Sequence, residues 1–203
     1  MTETVNFLCQ TWAGLRVLIV LTVLLGVAYP LAVTGVAQVA LRWQANGSLV
    51  AADGSRVSSP DRTVGSLLIG QQFEGPQWFH PRPSAAGDGY DTLASAGSNL
   101  GPLNPDLLAS VRERRAAVAQ TEGVALSEVP ADAVTSSASG LDPDISPAYA
   151  ELQTARVAQA RGLPVEQVRA LVERTTVGRD LGLLGEPRVD VLRLNLALQT
   201  MSP

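Results

Sequence analysis

The stretch VLIVLTVLLGVAYPLAVTGVA, Val17 to Ala37, runs for 21 residues without a charge, and the nearest charged side chains are Arg16 on one side and Arg42 on the other. As a helix rising 1.5 Å per residue it reaches about 31 Å, which matches a hydrocarbon core of about 30 Å. Twelve of its residues are Leu, Ile or Val. On the insertion scale they contribute about −4 to −7 kcal/mol before Gly26, Pro30, Gly35 and the threonines subtract from it. The pattern predicts a transmembrane helix over 17–41, leaving 1–16 as a short N-terminal segment. The competing reading is a cleaved signal peptide, with TGVAQVA supplying small residues, but the apolar part of a signal is usually 7 to 15 residues, shorter than this run. Cys9 precedes the run, so it is not the lipidated cysteine that follows a lipoprotein signal. As the only cysteine it makes no intrachain disulfide.

Working outward, residues 42–203 supply 162 residues, enough for one compact domain with its own core. GSLVAADG (47–54) reads as a short strand entering a turn at Asp53-Gly54, and VGSLLIGQQF (64–73) as a buried strand. Helix starts follow. Asn104-Pro105-Asp106 combines an N-cap, a first-turn proline and a carboxylate at the positive helix end; Ser146-Pro147 repeats the first two, and Pro164 opens a third helix. In that helix Val165, Val168 and Val172 share a face, while Glu166, Arg169 and Glu173 point elsewhere. VDVLRLNLALQ (189–199) alternates like a strand, yet Asp190 can cap a helix, which its length and leucine content favour. The expected fold is a mixed α/β (α+β) domain anchored by one N-terminal transmembrane helix.

All fifteen basic residues are arginine. Without lysine the chain carries neither a phosphate-cradling Gly-Lys-Ser/Thr loop nor the Asp-Lys-Thr-Gly of ion pumps that phosphorylate an aspartate, so it is not an ATP-hydrolysing engine of either kind. A net charge of −4 and a pI near 5.0 argue against nucleic acid. Arg112, Arg114 and Arg115 read as the solvated face of one helix.

Chemistry-bearing residues concentrate in SLLIGQQFEGPQWFHPRPSA (66–85), which holds the only histidine. His80 and Ser84 could act as base and nucleophile, with Arg82 between them on the same side of an extended segment. No second histidine, carboxylate cluster or Gly-x-Ser-x-Gly elbow supports a triad, and one histidine with one remote cysteine makes no zinc site. The favoured reading is scaffold, with Trp78 and Phe79 buried and the prolines stiffening a loop.

That stretch also resembles the C subunit of the Kdp potassium-transporting ATPase family. The likeness continues through YPLAVTGVAQ (29–38), QANGSLV (44–50), GSLLIGQQF (65–73), WFHPRPSA (78–85), GSNLGPLNP (97–105), VPADAVTSSASGLDPDISP (129–147), RVAQARGL (156–163) and VLRLNLAL (191–198). Departures are small: Asp144 stands where the family often has histidine, Asp190 where asparagine is usual, and Ser95-Ala96-Gly97 replaces Ser-Gly-Gly. The resemblance implies a non-catalytic subunit of a cell-membrane complex that takes up potassium. Its partners would be a channel-like potassium-binding subunit, a P-type ATP-hydrolysing subunit, a small membrane peptide and the bilayer.

The family is described as a catalytic chaperone that raises the ATP affinity of the hydrolysing subunit, and its large domain is drawn outside the cytoplasm. The arginine count, Arg16 before the span against Arg42 and Arg56 after it, leans slightly the other way, a bias that a long translocated domain overrides. If ATP is met, Ser136, Ser137, Ser139 and Asp142 of TSSASGLD (135–142) are the candidate nucleotide contacts, with Gln153 on the following helix. The alternative is a Ser/Gly-rich turn feeding the Ser146 cap, in an assembly subunit that caps the outer face of the channel-like subunit without touching nucleotide. The resemblance implies no tightly bound cofactor and no metal.

Overall fold

A computed structural model describes residues 2–201. The chain divides into two compact units, 1–47 and 48–203.

The first unit is one long helical rod. α1 (Thr2–Val23) passes through a π-helical turn (Leu24–Ala28) into α2 (Tyr29–Ala40), and a single turn, α3 (Arg42–Ala45), follows. The widened turn has a local cause. Pro30 has no N–H to donate and its ring crowds the carbonyl four residues back, at Gly26. One residue before it, the Tyr29 N–H donates to the carbonyl of Leu24, five residues back, and the ladder absorbs the mismatch as a π-bulge rather than a break. The stretch Val5–Ala40 is long and apolar enough to cross a membrane. The expected span therefore lies inside a longer helix, because Arg16 limits what can sit in hydrocarbon but does not stop helix propagation. Arg16 lies 5.3 Å over the Trp12 ring, the pairing of aromatic and cation that settles at a membrane interface.

The second unit combines four α-helices with two minimal antiparallel ladders. β1 (Leu49–Val50) pairs with β2 (Gly65–Ser66), Leu49 opposite Ser66; β3 (Asp144–Ile145) pairs with β4 (Val189–Asp190), Asp144 opposite Asp190. The helices are α4 (Pro105–Glu122), α5 (Pro147–Arg161), α6 (Val165–Thr175) and α7 (Val191–Gln199). Their caps are the expected ones: Asn104 accepts from the N–H of Asp106 and Leu107, Ser146 from Tyr149, and Asp190 from Arg193. α5, α6 and α7 enclose the core, with Ala150, Val157, Ala158, Val168, Val172, Leu194 and Leu198 buried, and Phe79 entering it from a loop. Val165, expected on the buried face of α6 with Val168 and Val172, lies exposed at the start of the helix.

The expected buried strand over 64–73 does not form. Only Gly65 and Ser66 pair; the Ser66 hydroxyl then captures the N–H of Leu68, the chain turns, and Leu68 is left exposed. A hydroxyl that bonds its own backbone two residues on competes with the ladder, and here it wins. From there to Asn104 the chain forms neither helix nor strand.

Candidate functional site

The loop from Gly75 to Tyr90 is where the domain concentrates its long-range polar bonds. Pro76, Pro81 and Pro83 remove backbone donors and preclude a sheet partner on those positions, so the loop's carbonyls must find side chains. They do so in an unbroken run. The Pro76 and Trp78 carbonyls accept from Arg156 Nη1 at 2.7 and 2.9 Å, and Gln77 accepts from Arg161 Nε at 2.8 Å. Phe79 accepts from Asn195 Nδ2 at 2.9 Å and His80 from Gln153 Nε2 at 3.1 Å.

Two of these partners close a reciprocal pair. The Phe79 N–H donates to Asn195 Oδ1 at 2.9 Å, and the His80 N–H to Gln153 Oε1 at 2.7 Å. Each amide side chain thus stands in for one residue of a neighbouring strand, offering both a donor and an acceptor. Gln153 is 0% exposed and Asn195 1%, so neither amide has water as an alternative partner. Among the described residues no buried side-chain nitrogen or oxygen lacks a partner.

Arg156 holds this arrangement from beneath. Its Nε bonds both Glu122 carboxylate oxygens, at 3.0 and 3.1 Å, and its Nη2 donates to Gln153 Oε1 at 2.7 Å. Burial holds the Glu122 carboxyl above its ordinary value, outweighing the Arg156 charge and hydrogen bond that pull it down. One arginine therefore joins α4, α5 and the loop through a pair whose ends would be costly to leave uncompensated. Arg161 places its guanidinium 4.4 Å over the Trp78 ring. Phe79 is fully buried as expected, whereas Trp78 is only half-buried, lying between Arg161 and Phe73.

The residues singled out as possible chemistry are occupied by the same task. His80 Nε2 donates to the Gly75 carbonyl at 2.9 Å; burial lowers the imidazole, and the Arg156 charge lowers it further against that bond. Arg82 pairs with Asp142 at 2.6 Å. Ser84 Oγ donates to the Gly140 carbonyl at 2.7 Å and accepts from the N–H of Ala86 and Tyr90, while the Tyr90 hydroxyl donates to the Arg82 carbonyl. Beside them lies a cleft of about 430 Å³ with Phe73, Pro81, Arg82, Tyr90 and Arg114 in its wall. Its arginines are engaged, Arg82 by Asp142 and Arg114 by the Val134 carbonyl. No group of three or more metal-ligating side chains occurs among the described residues.

Of the five candidate nucleotide contacts, Ser136, Ser137, Ser139 and Asp142 share one loop and Gln153 stands apart inside the core. Ser137 and Ser139 accept from the N–H of Gly140 and Leu141, and Asp142 accepts from Asp144 as well as holding Arg82. Gly140 is required at the crossing of this loop with the clamped one. Its φ is +68°, and a Cβ there would fall 2.6 Å from the Ala96 carbonyl oxygen and 2.7 Å from the Ala86 nitrogen. Sequence reading missed Asn195, Arg156 and Glu122. The available signal was the asparagine at an inward position of an otherwise leucine-rich helix, since a polar side chain at a core position needs a partner.

The family model described as K+-transporting ATPase, c chain, matches residues 11–200. The chain is 55% identical over 198 residues to the potassium-transporting ATPase KdpC subunit of Kineococcus radiotolerans, covering 98% of this chain and 97% of that one. It is 57% identical over 184 residues to the subunit of that name from Caulobacter vibrioides, covering 90% and 88%, and 53% identical over 193 residues to the one from Mycobacterium tuberculosis, covering 95% and 98%.

Proposed function

The chain belongs to the KdpC family of K+-transporting ATPase subunits, and from that premise we propose that it is a non-catalytic assembly subunit. In this reading it stabilises the pump through one spanning helix and a rigid domain on the outer side of the membrane, beside a channel-like potassium-binding subunit, a P-type ATP-hydrolysing subunit and a small membrane peptide. The observation that carries the reading is the clamped loop. The residues that sequence alone offers for catalysis, His80, Arg82 and Ser84, and the five offered to nucleotide are engaged in, or sit among, the internal bonds that hold the domain's two long loops together. Gln153 would have to abandon the His80 backbone to meet a ribose or phosphate, leaving the part-buried His80 N–H and carbonyl without that partner.

Two measurements test it. Single cysteines introduced at the exposed Ser58 and Ser127 in a Cys9→Ser background should react with an impermeant maleimide in intact cells as fully as in lysed ones. Protection until lysis would put the domain inside. A photoreactive ATP analogue added to the solubilised complex should label the hydrolysing subunit and leave this chain unlabelled. Labelling within residues 136–153 would instead favour the catalytic-chaperone role, in which this chain raises the ATP affinity of its partner.

A further inference from the structure

Three elements meet at the cleft of about 430 Å³ beside the clamped loop: α4 brings Arg114, α5 brings Tyr149, and the loop brings Pro81 and Tyr90, with Phe73 just ahead of it. Two of these side chains carry donors that the fold does not use. Tyr149 is only 4% exposed, and its hydroxyl has no hydrogen-bond partner among the described residues. No fully buried side-chain oxygen among them lacks a partner, so the little surface that Tyr149 keeps is at its hydroxyl, where it borders the cleft. The Tyr90 hydroxyl, by contrast, is taken by the Arg82 carbonyl. Arg114 is half-buried. Its Nη1 is pinned to the Val134 carbonyl at 3.3 Å, and it forms no ion pair among the described residues. Arg82, across the cleft, is neutralised by Asp142 and closes its fork on the Thr135 carbonyl.

We propose that this cleft binds a free small-molecule monocarboxylate with a compact apolar body, its carboxylate held by Arg114 and the Tyr149 hydroxyl and its body set against Phe73, Pro81 and Tyr90. A guanidinium without a counter-charge and a buried hydroxyl without a partner both call for an acceptor that carries negative charge. Pinned by one main-chain bond, Arg114 offers its remaining N–H groups in the planar fork that matches a carboxylate, with its ordering cost already met. Burial, together with the Glu122 charge, pushes the Tyr149 phenol above its ordinary value, so it keeps its proton and donates. One negative charge is favoured over several, because the exposed Asp88 shares the cleft and opposes a second. The ring of Phe73 and the walls at Pro81 and Tyr90 reward an apolar body, which inorganic anions lack. A small molecule also fits the size, since ligand clefts run from about 300 to 1,000 Å³ and this one lies near the lower end. The site goes beyond the assembly reading and does not depend on it.

The probe is 4-fluorobenzoate, titrated into the full purified chain in detergent and followed through its fluorine resonance, with empty micelles as the blank. Saturable binding is expected below about 1 mM, with benzamide and inorganic phosphate competing at least tenfold more weakly. Tyr149→Phe is the decisive variant. The hydroxyl it removes bonds nothing within the chain, so the thermal transition should stay where it is while probe affinity falls about tenfold. Arg114→Gln should lower the affinity at least as much. Absence of saturable binding up to about 10 mM would overturn the proposal, and so would undiminished affinity in Tyr149→Phe. Equal competition by benzamide would reduce the cleft to an apolar surface, and equal competition by phosphate would mean an adventitious ion only; either result overturns it. The same titration on the assembled complex separates a free acid from a carboxylate supplied by a neighbouring subunit. Retained binding supports the free ligand, and loss of binding on assembly overturns it.

Discussion

Asn195 and Gln153 show how much of this domain rests on two side-chain amides. Replacing Asn195 by alanine strands the N–H and carbonyl of Phe79 in a dry core, which should cost about 2–4 kcal/mol, a large share of the roughly 5–15 kcal/mol that holds a domain folded. Urea unfolding of the variant measures it. The two neighbouring aromatics should separate by burial. Phe79→Ala opens a cavity worth about 3–5 kcal/mol, while Trp78→Ala, removing a half-buried ring stacked under Arg161, should cost clearly less in the same assay. Asp190 offers a pH test. Burial pushes its carboxyl up to about 6, against the hydrogen bond from the Arg193 N–H, and the facing charge of Asp144 adds to the rise. A carboxyl that binds its proton more tightly folded than unfolded contributes most below the unfolded value near 4, and stability falls as pH rises from about 4 through about 6, by about 3 kcal/mol. Asp190→Asn keeps the helix cap without the charge. It should raise the melting temperature at pH 7 to 8, leave it nearly unchanged near pH 4, and flatten the profile between.

Among the elements, the long apolar helix was readable because both of its signals are local. A charge-free run announces a span, and Pro30 announces a disturbance one turn earlier. The helix itself runs from Thr2, well beyond the charge-free run, because hydrogen-bond propagation does not consult hydropathy. Leu25→Arg, placed near mid-span inside the π-turn, should cost about 3 kcal/mol of insertion free energy and deplete the chain from the membrane fraction, measured by quantitative blotting. The caps of α4, α5 and α7 were likewise legible, each resting on a side chain and an N–H two or three residues away. The buried strand expected over 64–73 failed for a reason of the same range: alternation and apolar content do not report whether Ser66 will spend its hydroxyl on the Leu68 N–H.

For the molecule as a whole, the segment from Pro76 to His80 is bonded to α5 and α7 and Phe79 enters the core, even though this loop contains no regular element. The amide hydrogens of Phe79 and His80 should therefore exchange only on global unfolding, in the same slow class as the centres of α5 and α7, in a hydrogen-exchange experiment on the intact chain. Exchange as fast as an ordinary surface loop would mean that the amide pairs open independently. Sequence alone determined a helix apolar and long enough to cross a membrane, the helix starts, the exclusion of lysine-dependent phosphate chemistry and the scaffold character of the WFHPRPSA stretch, since each depends on composition or on residues within about one helical turn. Only the tertiary structure decided which side chains complete that scaffold. Asn195 meets Phe79 across 116 positions and Gln153 meets His80 across 73, and no local pattern encodes such a partner. The loop's carbonyls, left without donors by its prolines and unable to stay dry and unpaired, are satisfied by whichever donors the packing of α5 and α7 brings within reach.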